Sequence, residues 1–133
     1  MRFMIQVRAT VTSERGDPPG PEYAQLMEEM GAFHEEMARA GVLLDGAGLR
    51  PSREGWRQRY RADGHREVID GPWAEAKELI AGYTLIQVRS VEEARAWASR
   101  FPCPFIGQDC EIEVRPLYEE ADFAPGGAMA PRA

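Results

Sequence analysis

The stretch from Asp70 to Tyr83, DGPWAEAKELIAGY, puts a carboxylate and an amine seven residues apart in a segment dense with turn and helix signals. Asp70 can serve as a general base, and Lys77 as a cationic anchor or an acid. Burial would lower the lysine pKa, which favours such a role. A helix beginning at Pro72 would present unpaired backbone N–H groups to a substrate carboxylate. The same residues also read as plain architecture. Asp70 suits a helix N-cap, Gly71 a tight turn, Pro72 a first helical position, and Trp73 packs. Glu75, Lys77 and Glu78 then decorate solvated helical turns. The residue types allow both a site and a cap.

His34 is the third candidate catalytic residue. It lies four residues after Met30 and three before Met37, at the edge of an apolar helical stripe. A histidine there is either a packed, hydrogen-bonded residue or an acid–base group. His65 falls in a hairpin turn and reads as exposed. The two histidines and two cysteines lie too far apart for a metal set, and HEE at His34 is not HExxH. No metal and no cofactor are therefore expected, since phosphate loops, dinucleotide fingerprints and nucleophile elbows are also missing from the sequence. Cys103 and Cys110 have neither CxxC nor zinc spacing. They read as reduced and structural, with a regulatory disulfide as the lesser alternative.

The elements that must position these residues follow from periodicity. Residues 2–9 alternate as a strand. SERGDPPGP reads as a loop. Pro21 opens a helix whose Tyr23, Leu26, Met27, Met30, Phe33 and Met37 share one face, read as core rather than a cofactor box. Gly41 closes it. VLLDGAGL is a short strand, and WRQRYRADGHREVID a hairpin turning at Asp63-Gly64, both with positive φ. IAGYTLIQV, apolar on both faces, is a central strand. Ser90 and Glu93 form a capping box before a helix that buries Val91, Ala94, Trp97, Ala98 and Phe101. DCEIEVRPL is the last strand, with Ile112 and Val114 inward.

This order has a βαββαβ skeleton with an inserted β-hairpin: an α+β, ferredoxin-like antiparallel sheet with both helices on one face. The other face would carry Met4, Gln6, Tyr83, Leu85 and Gln87, or their alternates, too apolar to stay wet and too polar for a dry core. Burial against a second copy resolves this, so a homodimer is expected. Arg57, Arg59 and Arg61 share one face of the hairpin. They read as charges that deter edge pairing, or as a recognition surface for a carboxylate or an acidic protein.

A chain of 133 residues with net charge −6 and pI about 5.0 is one soluble domain and a poor partner for nucleic acid. It has no apolar run near the ~18 residues a membrane span needs. MRFMIQVRAT is not read as a signal peptide, and a cytoplasmic location is expected. Residues 1–118 are assigned to the domain and 119–133 to a flexible tail.

DGPWAEAKE also resembles the DGPFAETKE signature of the YCII-related proteins, in their DGPF branch, with Trp73 for the usual Phe and Ala76 for the usual Thr. The resemblance runs from Met1 to about Leu117 and includes AGVLLDGAGLRPS, GYTLIQV and EARAWASRFP. It implies a ferredoxin-like domain that dimerises into an α/β barrel. The wider superfamily includes isomerases, lyases and monooxygenases acting on small organic molecules. The resemblance makes Asp70 and Lys77 catalytic candidates and Gly71, Pro72, Trp73 and Glu78 ligand-binding ones. Some members pair a helix histidine with a nearby aspartate, but here Gly31 occupies the histidine position and His34 lies about one turn away. Genes of the branch often neighbour extracytoplasmic-function sigma factors, which implies a non-catalytic regulatory or interaction protein as the alternative to a small-molecule enzyme.

Overall fold

The computed structural model describes residues 1–17 and 20–131. Pro18 and Pro19 of the expected loop, and Arg132 and Ala133 of the tail, lie outside the described residues.

In chain order the elements are β1 (Arg2–Arg8), α1 (Val11–Arg15), α2 (Glu22–Arg39), β2 (Leu43–Gly48), β3 (Trp56–Tyr60), β4 (Arg66–Asp70), β5 (Ile80–Gln87), α3 (Val91–Ser99), β6 (Ile112–Pro116) and α4 (Glu120–Phe123). Single 3-10 turns occupy Ser52–Glu54 and Ala76–Glu78. The main sheet is antiparallel with order β2-β5-β1-β6, and β3-β4 form a separate two-stranded hairpin. This is the ferredoxin-like order, with the hairpin as its elaboration.

Alternation along β1 and β5 sets the layers. Phe3, Ile5, Thr84 and Ile86 are buried on the helix side. Phe33 and Met37 of α2 and Ala94 of α3 close over them. Phe33 meets Trp97 and Phe101 edge-on, with ring centroids 5.9 and 5.7 Å away. Arg100 spans the helices, 2.5 Å from Glu36 and over the Phe33 ring. Met4, Gln6, Tyr83 and Leu85 point to the opposite face and are half-buried there, while Gln87 is exposed.

Helix lengths decide where the core stops. At ~1.5 Å per residue, α2 is twice as long as α3. The C-terminal half of its apolar stripe is core, but Tyr23 and Met27 are about half exposed. The whole stripe is therefore not core, as its periodicity suggested: α3 is too short to cover the first half. Gly41, with φ +75°, ends α2 as expected, its N–H and that of Val42 returning to Ala38 and Met37 carbonyls.

Other expectations are corrected locally. Ser13 to Arg15 are helical, because Thr10 caps Ser13 and Ser13 caps Thr10 in return. In the hairpin only Gly64 takes positive φ; Asp63 does not, since Arg61 N–H bonds His65 across a wider loop. Ser90 caps α3, but Glu93 reaches back to the Arg89 N–H rather than that of Ser90. Val91 is exposed at the first turn of α3. In the tail, Glu119 caps α4 and holds Arg2 at 3.1 Å. Those hydrogen bonds from Arg2 keep the Glu119 carboxyl below its ordinary pKa.

The corner at Asp70 differs most from its helix-cap reading. No helix starts at Pro72. Residues 72–75 are irregular, the Ala76–Glu78 turn is preceded by Glu75, and no side chain caps it. Asp70 instead ends β4 opposite Trp56, exposed to solvent. The corner works as a joint centred on Ser52. Glu14 of α1 accepts the Ser52 N–H at 3.0 Å and its hydroxyl as well. Ser52 Oγ accepts the Trp73 N–H at 3.2 Å, and the Gly71 N–H donates to Gly55. A Cβ on Gly71 would lie 1.8 Å from the Ser52 carbonyl oxygen. Glycine is thus required by close backbone approach, not by φ.

Two stability outcomes follow. Met37→Ala should cost about 2–5 kcal/mol in urea unfolding, as a fully buried methionine is removed. Gly71→Ala should cost about 2 kcal/mol or more, while Asp70→Ala stays within about 0.5 kcal/mol, because only the first displaces backbone. A destabilised Asp70→Ala beside a stable Gly71→Ala would contradict the joint.

Candidate functional site

The uncovered half of α2 and the β2–β5 edge enclose a hollow of about 400 Å³. Leu26, Met30, His34, Gly46, Thr84 and Phe105 are among the residues that line it. Its volume and mostly apolar walls, with a few polar side chains such as His34 and Thr84, are the usual make-up of a small-molecule pocket.

His34 is positioned by both elements. Its Nδ1 lies 2.8 Å from the Met30 carbonyl oxygen, one turn back on α2. A carbonyl only accepts, so Nδ1 carries the proton. Nε2 lies 2.8 Å from Thr84 Oγ1 on β5. In the neutral ring Nε2 therefore accepts from the Thr84 hydroxyl. Gly46 of β2 leaves room for the ring, for a Cβ there would lie 3.4 Å from Nε2. Phe33 and Phe101 stand edge-on to the imidazole at centroid distances of 6.4 and 6.3 Å. His34 is half-buried and lines the hollow.

On the other face of the sheet Tyr83 donates its hydroxyl to Asp45 Oδ2 at 2.9 Å, and the Gly46 N–H holds the second oxygen, Oδ1, at 2.8 Å. The hydrogen bond to the Asp45 carboxylate, and the charge behind it, raise the Tyr83 pKa above its ordinary 10.0.

The signature residues are dispersed around the joint. Trp73 lines a separate hollow of about 440 Å³ with Glu14, Ser52, Arg50 and Leu79. The Arg57 guanidinium stacks 4.1 Å from the Trp73 ring centroid, and the buried Trp73 Nε1 has no hydrogen-bond partner. Gly71 is the close-approach residue of the joint. Pro72, which follows a cis peptide, is exposed, as are Lys77 and Glu78. Lys77 borders a third hollow with Arg8, Asp109, Cys110 and Glu111, and its carbonyl accepts from Arg8. That hollow does not include Asp70, so the two catalytic candidates of the corner are not brought to one cavity.

Thr84 is the residue that sequence reasoning passed over. Its signal was present: it is a hydroxyl at an inward position of an otherwise apolar strand, so it must find a partner once buried. Asp45 carried a weaker one, a lone carboxylate in VLLDGAGL. Among the described residues, no three His, Cys, Asp or Glu side chains are grouped to hold a metal. Nor is any helix there long and apolar enough to cross a membrane.

Comparison with known proteins agrees with this fold. The family description "YCII-related domain" matches residues 1–119. An uncharacterised protein of Rhizobium meliloti (strain 1021) is 35% identical over 107 residues, covering 79% of this chain and 81% of that protein. A match across nearly all of the sheet, both long helices and the hairpin is a match to the whole architecture, and the chain belongs to the YCII-related family.

Proposed function

We propose that the chain binds a small organic molecule in the hollow between α2 and the β2–β5 edge, with His34 as its acid–base group. The observation that carries this reading is the commitment of His34 Nδ1 to Met30 while Nε2 faces a rotatable hydroxyl at a cavity wall. With Nδ1 held on Met30, Nε2 is the nitrogen that can take up and return a proton, once the Thr84 hydroxyl rotates out of its lone pair. The surrounding walls are mostly apolar, so the contact they offer a bound molecule is hydrophobic. Proton abstraction and return on a small carboxylic acid, as in an isomerase or lyase, fits one base in an apolar pocket.

The corner residues Asp70 and Lys77 are the competing placement of the same chemistry. Both are exposed, and Lys77 faces Arg8 and Cys110, so the His34 hollow is favoured. A second reading, a regulatory protein that binds a partner such as a sigma factor, draws on the hairpin. Trp56 and Tyr60 are 67% and 65% exposed there, with Arg66 over the Tyr60 ring. Aromatic and arginine side chains so displayed suit a protein surface.

A thermal-shift screen with benzoate and related small carboxylic acids separates these readings. Stabilisation of the wild type that is lost in His34→Ala and kept in Lys77→Ala supports the hollow. Loss in Lys77→Ala alone moves the site to the corner, and no shift with any acid favours the interaction protein.

We also propose that a second copy covers the open sheet face of Met4, Gln6, Tyr83 and Leu85. Sedimentation should give twice the 14.9 kDa chain mass, and Leu85→Lys should return the protein to monomer. A monomeric wild type would exclude this assembly.

A further inference from the structure

The loop between α3 and β6 carries both cysteines of the chain, and folding brings them together. Cys103 Sγ and Cys110 Sγ are 3.6 Å apart, with no bond between them. Both thiols turn toward one backbone oxygen, that of Phe105, at 3.5 and 3.9 Å. The loop is folded for this: the Gln108 N–H returns to Phe105, and Gly107 takes φ +82°. Reaching a disulfide length near 2.05 Å requires the sulfurs to close by only ~1.5 Å, within the reach of side-chain rotation in an exposed segment.

We propose that Cys103 and Cys110 form a reversible disulfide with small-molecule disulfides as the oxidant, cross-linking the loop that walls the hollows beside α2. The exchange is balanced. The Cys103 thiolate attacks one sulfur of the oxidant RSSR, and RS⁻ leaves. The Cys110 thiolate then attacks Cys103 Sγ and expels the second RS⁻. The protein loses two electrons and two protons, and RSSR becomes two RSH.

The two thiols are not equivalent. Cys103 is exposed and Cys110 half-buried. Burial, with the Cys103 hydrogen bond adding to it, raises the Cys110 thiol pKa. Cys103 is thus the first point of attack and Cys110 the resolving thiol. The position in the fold gives the bond its consequence. Pro104 and Phe105, inside the ring that the disulfide would close, wall the His34 hollow, and Ile106 and Gln108 wall its neighbour. The cross-link itself rests on the thiol geometry alone and stands whether or not the hollow binds a ligand.

The test equilibrates the full chain with graded mixtures of reduced and oxidised glutathione, followed by alkylation and intact mass. In the wild type both thiols should become unreactive together, with no retained glutathione, and dithiothreitol should restore them. Cys110→Ser should instead retain one glutathione on Cys103, about tenfold faster than Cys103→Ser retains one on Cys110. The oxidised wild type should melt about 5 °C higher than the reduced, a gain that neither variant shows. Wild-type protein that keeps two alkylatable thiols in excess oxidised glutathione would overturn the proposal. So would mixed disulfides, disulfide-linked dimers, or an unmoved melting temperature in the oxidised form.

Discussion

A sheet with all its long helices on one side has two faces with different requirements, and most of this molecule answers to that difference. On the helix side every position must be apolar or hydrogen-bonded. Phe3, Ile5 and Ile86 meet the first condition, and Thr84 falls under the second. Thr84 is 2% exposed, so its hydroxyl needs a partner inside the fold. His34 supplies it from α2, and is itself turned by the Met30 carbonyl. The most chemically capable side chain of the hollow is therefore held by the demands of the core. Removing it would unpair Thr84 as well as take the imidazole out of the hollow. A conservative His34→Gln change, which keeps a donor and an acceptor, is the milder probe of position.

The second organising feature is the joint at Ser52. One buried serine receives Glu14 from α1 and holds the Trp73 backbone, while Gly71 lies against its carbonyl. The hairpin is otherwise exposed along nearly its whole length, so its orientation depends on these few bonds and on Arg57 over Trp73. The DGPW stretch is thus where an appended hairpin is fastened to the βαββαβ core. A glutamate that accepts two hydrogen bonds from one residue is held more firmly than an exposed ion pair, because charge-assisted bonds to fixed donors lose less to solvent.

The skeleton was legible because it rests on periodicity. Two-residue alternation in β1 and β6, the doubly apolar run of β5, and the three-and-four spacing in α2 are direct consequences of burial. The ferredoxin-like arrangement followed from the βαββαβ succession of these elements. Local signals fared differently. Asp70-Gly71-Pro72 has every residue a helix start prefers, yet the chain there is committed to Ser52, 18 residues earlier in sequence than Asp70, and tertiary bonding overrode propensity. Thr10 and Ser13 were an unread capping pair hidden beside a Gly- and Pro-rich run. The site was only partly legible. His34 was visible as a residue, but its partner Thr84 is 50 positions away, and no spacing rule connects them.

The hollow itself comes from a mismatch in length. An α2 of 18 residues lies beside an α3 of nine, so half of one apolar stripe has no helix to cover it. The α3–β6 loop fills part of that space with Pro104 and Phe105 and leaves the remainder open. The hollow is bounded by α2, by strands of the main sheet and by a loop that carries its own pair of adjacent thiols. A change confined to the loop can therefore alter access without disturbing His34, whose two hydrogen bonds both lie on α2 and β5.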